Sequence, residues 1–207
     1  MKILYHTGRQ LTRLISRFVF RIKITGADNV PSSGPFILAT NHISYYDPPL
    51  VGSWIRREVY FMAKQELFRN RLFGWAISRT NALPMRRGTI DRKGLELCLR
   101  VLENGEALTI FPEGTRSLRD GFLDPKPGLG LVARKALCPI VPGYVHGANK
   151  PGDCFWGRDR MSINYGPPIQ PEEYESFPAD KTGYQAIAEL AMDRIGQLKQ
   201  ERLDLKF

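Results

Sequence analysis

The sequence predicts an α/β fold: a single domain with a central, mostly parallel or mixed sheet flanked by helices and preceded by an N-terminal amphipathic helix. Three observations predict it. The chain has 207 residues, the length of one ordinary domain. Short apolar runs at Phe36–Ala39, Val59–Ala63, Ala107–Phe111 and Ile140–Val145 have the length and continuity of strands buried on both faces. Segments with helical spacing alternate with these runs, the order that builds parallel βαβ units.

The elements can be justified one after another. Leu11, Leu14, Ile15, Phe18 and Val19 share one side of a helical wheel, and Arg9, Arg13, Arg17 and Arg21, four apart, sweep the other. That pattern suits a helix lying in a membrane interface with its cations at lipid phosphates. It equally suits a helix packed on its own domain with its arginines in solvent. The same arginines interrupt every candidate core of a secretion signal, and no small-residue cleavage pattern follows. From Phe20 the period changes to two, with Ile22 and Ile24 alternating with Lys23 and Thr25, so a strand is expected before the turn-rich stretch Asp28–Gly34. Asp91–Glu103 has helical spacing at Leu95, Leu99 and Leu102 and is stopped by Asn104-Gly105. Residues 128–137 read as another helix, Met161–Tyr165 as an outer strand and Tyr184–Leu203 as a closing helix. No repeat, low-complexity tract or long linker divides the chain.

Composition excludes several classes. Hydrophobic residues at 43% and charged residues at 25% are far from disordered or collagen-like chains. No window approaches ~18 consecutive apolar residues, which excludes a simple spanning helix. Cys98, Cys138 and Cys154 have no CxxC spacing and cannot all pair, so neither a disulfide framework nor a cysteine zinc site is indicated, and a reducing compartment fits. The net charge of +9 is unevenly spread. Residues 1–23 hold six basic residues and no acid, residues 56–100 eleven basic against four acidic, and residues 169–207 eight acidic against five basic. A basic first half implies an anionic partner: nucleic acid, an acidic membrane surface or a phosphorylated substrate.

Sites in open α/β sheets gather where strands end, and two strand ends here are unusually polar. In Thr40–Pro48, His42 follows an apolar strand directly and Asp47 comes five residues later. One turn of chain can bring that carboxylate onto the imidazole, which would fix its tautomer and leave the other nitrogen to take a proton from a hydroxyl; taken alone, a His and an Asp in one loop are more often structural. In Phe111–Ser117, Gly114 permits close backbone approach, Thr115 and Ser117 offer hydroxyls, and Arg116 offers a planar fork for phosphate or carboxylate. The plain alternative for this segment is a tight polar turn in which Arg116 pairs with Glu113 or Asp120. His6 and His146 stand apart, so the histidines form no metal cluster. Lys64 and Glu66 read equally as pocket residues or a surface pair, and Tyr45 and Tyr46 as loop packing.

Taken together, His42-x4-Asp47 and Phe111-Pro-Glu-Gly-Thr-Arg-Ser117 resemble the glycerolipid acyltransferases related to 1-acylglycerol-3-phosphate acyltransferase. Phe61–Phe68 with Asn81–Gly88 resembles the family's second block, whose substrate-contacting arginine falls on Arg87, and Ile140–Gly147 resembles the fourth, with its proline at Pro142. Asn81 departs from the family's frequent glycine, the segment Leu118–Lys126 is short and proline-interrupted, and the family's longer N-terminal extensions are missing. The division expected is residues 1–20, from their amphipathic wheel and basic charge, as a membrane-interface helix, and 21–207 as the acyltransferase domain. The resemblance implies acyl transfer from acyl-CoA or acyl-carrier protein, as co-substrate and with no other cofactor or metal, to the hydroxyl of a lysophosphatidic-acid-like glycerolipid in phospholipid biosynthesis, with another lysolipid or glycerol 3-phosphate as the alternative acceptor. His42 would be the general base assisted by Asp47, and Glu113, Gly114, Thr115, Arg116 and Arg87 would bind substrate. No nucleophilic Ser or Cys is needed, in keeping with the absence of GxSxG. The expected partners are an anionic membrane surface and a lysophospholipid, not nucleic acid, with the protein peripheral on the cytoplasmic face. Two rivals differ in class: a thioesterase or lipid hydrolase in which His42 activates water, and a non-catalytic binding module, which gives no reason for His42 and Asp47.

Overall fold

A computed structural model of the chain describes residues 3–86, 91–118 and 121–204. Its strands are β1 (Lys23–Thr25), β2 (Phe36–Thr40), β3 (Val59–Lys64), β4 (Ala82–Met85), β5 (Ala107–Ile110), β6 (Ile140–His146) and β7 (Ser162–Tyr165). They form one sheet in the order β1-β7-β6-β2-β5-β3-β4, parallel throughout except between β6 and β7. The central strands β2 and β5 are wholly buried, which is why their sequences are continuous apolar runs without alternation.

The helices are α1 (Ile3–Phe18), α2 (Asp47–Ser53), α3 (Arg71–Ser78), α4 (Arg92–Glu103), α5 (Gly128–Ala136), α6 (Pro151–Phe155) and α7 (Lys181–Asp204). On one face of the sheet, Cys98 and Leu102 of α4, Leu129 and Ala133 of α5, and Ile187, Ala191 and Ile195 of α7 pack on Ile37, Leu108 and Ile140. On the other, Leu50 and Val51 of α2 and Ile55 pack on Phe36, Leu38 and Val141. The contact of α5 with α7 depends on Gly130, where a Cβ would stand 1.9 Å from the Tyr184 carbonyl oxygen.

Four of these elements lie outside the expectation from sequence: α2, α3, α6 and β4. The strand β4 contains Pro84, but it is an edge strand paired only with β3, where a missing N–H breaks no ladder. The helix α3 is short and leaves Leu72, Phe73 and Trp75 exposed. The closing helix also begins at Lys181, ahead of the expected Tyr184.

The orientation of α1 corrects the helical-wheel reading of its arginines. Arg9 and Arg13 face the protein, each donating to the carbonyl of Ser53, the last residue of α2, and to that of Ile55 just after it. Carbonyls at a helix C-terminus have no partners within the helix and attract cations. Tyr5 and Ser16 are buried on the same side; the Tyr5 hydroxyl accepts the Val59 N–H at 3.1 Å, and Ser16 Oγ accepts Trp54 Nε1–H at 3.1 Å. The apolar residues Leu11, Leu14, Ile15 and Phe18 therefore point outward, Phe18 at 72% exposure. No helix among the described residues is long and apolar enough to cross a membrane.

Candidate active site

The two polar loops noted in the sequence meet at the C-terminal edge of the sheet, after the adjacent strands β2 and β5. Asn41, directly after β2, is buried and bonds the backbone of Val145 twice, donating to its carbonyl at 3.0 Å and accepting its N–H at 2.7 Å. This cross-link fixes where the loop leaves the sheet. His42 follows, almost fully buried, with its ring stacked on Phe111 at 4.1 Å between centroids.

His42 Nδ1 lies 2.8 Å from Asp47 Oδ2, and the same oxygen accepts the N–H groups of Ile43 and Ser44 at 2.7 Å each. Asp47 opens α2, where the helix dipole favours a carboxylate. Pro48 and Pro49 occupy that first turn, where a missing N–H has no partner to lose. Short sequence separation and the tight turn thus bring the carboxylate back onto the imidazole. With Nδ1 donating to Asp47, Nε2 is left as the acceptor. Asp47 is fully buried, and its Oδ1 has no hydrogen-bond partner among the described residues.

In the second loop Gly114 has a left-handed φ of 68°, which turns the chain sharply after β5. Glu113 is buried beneath that turn. Its Oε1 accepts the His42 N–H at 2.9 Å and its Oε2 accepts the Leu123 N–H at 2.7 Å, so one side chain braces three segments. Burial pushes its carboxyl above the ordinary range, while those two backbone donors pull it down. The Ser117 N–H returns to the His42 carbonyl at 2.8 Å. Arg116 lies over the Tyr45 ring, its central carbon 3.5 Å from the centroid.

His42, Tyr45, Thr115 and Arg116 line a cavity of about 580 Å³. Val59 and Phe61 of β3 and Phe73 and Ile77 of α3 give it apolar lining, and Tyr5 and Thr12 of α1 line it too. Lys64 also lines it. Of the residues singled out from sequence, His42, Tyr45, Lys64, Thr115 and Arg116 share the cavity, and Asp47 reaches it through His42. Glu113 sits behind the loops, Gly114 makes the turn, and Arg87 lies outside the described residues. His146 is tied elsewhere, its Nε2 at 2.8 Å from Asp159, whose other oxygen is 3.5 Å from Arg202. His6 reaches Glu58 at 3.2 Å. Sequence reasoning missed Asn41 and the stacking role of Tyr45. The available signal for Asn41 was an amide side chain at a buried strand end, where only a hydrogen-bonded group is stable.

Comparison with known proteins places these loops in a wider set. A family model described as acyltransferase matches residues 21–146. The 1-acyl-sn-glycerol-3-phosphate acyltransferase of Bacillus subtilis is 27% identical over 87% of this chain and 89% of its own. The protein of the same name from Streptococcus pneumoniae is 28% identical, over 84% and 64% respectively. The lyso-ornithine lipid O-acyltransferase of Pseudomonas aeruginosa is 33% identical over 65% of this chain and 52% of its own. The crystal structure of the 1-acyl-sn-glycerophosphate acyltransferase PlsC from Thermotoga maritima superposes with a TM-score of 0.69 at 22% identity, covering 98% of this chain and 84% of that one. At that identity the likeness is one of fold.

Proposed function

The chain belongs to the acyltransferase family, and on that premise we propose that it moves a fatty acyl group from acyl-CoA or acyl-carrier protein to the free hydroxyl of 1-acylglycerol 3-phosphate, in phospholipid biosynthesis. The observation that supports this most directly is the His42–Asp47 pair, 2.8 Å apart, on the wall of a largely apolar cavity that also receives a guanidinium.

In this reading His42 Nε2 takes the acceptor's hydroxyl proton as its oxygen attacks the thioester carbonyl. The new C–O bond forms, the tetrahedral intermediate collapses with cleavage of C–S, and the proton on His42 passes to the departing thiolate. Asp47 holds the Nδ1–H and stabilises the imidazolium as it develops. Arg116, held over Tyr45, takes the acceptor's phosphate with Thr115 beside it. Glu113 and Gly114 shape that turn, and Arg87 supplies a second cation to the phosphate. The apolar lining of the cavity suits an acyl chain, and holding both substrates in one cavity turns a bimolecular encounter into a positioned one. The reaction uses no cofactor beyond the thioester.

Both substrate and product partition into bilayers, so the protein works as a peripheral enzyme on the cytoplasmic face, with residues 1–20 as its anchor. The outward apolar side of α1 supports that role. The test is thiol release from palmitoyl-CoA with and without lysophosphatidic acid, the lipids resolved by mass. Release that depends on the acceptor, yields phosphatidic acid and disappears in His42→Ala is the expected result. Free fatty acid released without acceptor would make the protein a thioesterase instead, and product formed only from a lyso-ornithine lipid would reassign the acceptor.

A further inference from the structure

The helix α3 carries a second outward apolar face. Gly74 points inward, where a Cβ would stand 2.6 Å from the Phe68 carbonyl oxygen, so the helix is seated tightly on the turn before it. A rotation of two residues sets Leu72 on the opposite side, and it is 84% exposed, with Trp75 at 54% and Phe73 at 50% on the flanks. Contiguous apolar side chains of this kind mark an interaction surface.

Charge indicates what covers it. From Leu67 to Ile90 the sequence has five arginines and no acid, just as residues 1–23 have six basic residues and none acidic. Arg69 and Arg71 are exposed beside the apolar face, and Arg79 lies over the Trp75 ring at 4.2 Å. An indole with apolar neighbours and a surround of arginines fits the boundary between acyl chains and anionic headgroups. Position adds to charge, because Phe73 and Ile77 of α3 and Tyr5 and Thr12 of α1 line the same cavity. We propose that α3 is a second membrane-contact element, seating Leu72 and Trp75 in an anionic bilayer beside α1. Resting on one helix alone, the protein can roll about that helix's axis. Two apolar faces on separate elements fix a plane and hold the cavity against the lipid that supplies its substrates. The inference rests on the reading of the protein as a lipid acyltransferase acting at a membrane.

The three native cysteines are buried, and burial pushes the Cys98 and Cys138 thiols up to about 12, so a single introduced cysteine can be labelled selectively. Leu72→Cys carrying an environment-sensitive fluorophore is expected to brighten several-fold on vesicles of phosphatidylglycerol and phosphatidylcholine. The same label on Leu137→Cys, at the far end of the sheet, should not change. The double variant Leu72→Asp/Trp75→Asp should keep its melting temperature and lose about tenfold or more in vesicle affinity. A label at position 72 that stays dim while the protein sediments with vesicles would overturn the proposal and leave α1 as the sole anchor. Brightening with protein concentration in the absence of vesicles would overturn it in favour of a second copy. Failure of the unmodified protein to bind these vesicles would overturn it as well, whereas the acyl-transfer assay with dispersed substrates is read independently.

Discussion

Replacing Asp47 with asparagine separates the charge of the proposed catalytic pair from its geometry. The carboxylate and the His42 imidazole are 2.8 Å apart and buried, which at an effective dielectric of ~20 corresponds to an attraction of about 6 kcal/mol once the imidazole is protonated. An amide oxygen in the same place still accepts from Nδ1, Ile43 and Ser44, but a neutral hydrogen bond is about half as strong as a charge-assisted one. About 3 kcal/mol is therefore lost, and only in the transition state, where the imidazolium exists. The expected result for Asp47→Asn is a fall in kcat of roughly 10²-fold with both KM values little changed. The amide nitrogen takes the position of Oδ1, which has no partner among the described residues, so the stability cost is that of one buried unpaired donor, about 1–3 kcal/mol. Asp47→Ala differs in kind, since it strips the acceptor from two backbone N–H groups and should cost about twice as much. Steady-state kinetics with palmitoyl-CoA and lysophosphatidic acid, alongside urea unfolding, read both quantities. A folded Asp47→Asn protein that turns over within about threefold of wild type would refute the argument, because no developing imidazolium would then be meeting that carboxylate.

The other expectations are briefer. Arg116→Ala should raise the acceptor KM by about 10- to 100-fold while the thioester KM moves little; equal effects on both would count against a phosphate role. In Glu113→Gln a single amide oxygen replaces two that accept from His42 and Leu123, so one backbone N–H is orphaned. Stability should drop by about 1–3 kcal/mol and kcat should fall at constant acceptor KM, whereas a selective rise in that KM would show Glu113 to be a substrate contact. Burial, together with nearby Arg202, holds the His146 imidazole below its ordinary value despite its bond to Asp159. Stability from this site is present above the unfolded pKa of ~6.5 and is lost as pH falls through the lower folded value. Wild type should therefore lose more of its urea midpoint between about pH 7 and about pH 5 than His146→Gln does, and equal losses would exclude the site.

How much of this was legible in the sequence depended on whether burial was one-sided or complete. The strands β2, β5 and β6 sit in the middle of the sheet, and their unbroken apolar runs carry that position openly. The edge strand β4 does not, because half-exposed Leu83 and exposed Pro84 blur both strand patterns. The wheel of α1 divides its faces correctly but contains nothing about which one the domain takes. That choice was made by the bare carbonyls of Ser53 and Ile55, some forty residues away. His42 and Asp47 could be paired from spacing alone because the turn between them is local. The two bonds of Glu113, to His42 and Leu123, span 71 and 10 residues and arise only when β2 and β5 become neighbours.

The seven residues of α2 form a strut roughly 10 Å long, and its two ends are occupied by different tasks. At one end Asp47 grips the imidazole; at the other the arginines of α1 clamp the terminal carbonyls. Whatever tugs on the first helix therefore pulls on the Asp47 carboxylate through a single rigid piece. Loss of that helix would detune turnover even on a short-chain acceptor freely dissolved in water, where no membrane is left to miss.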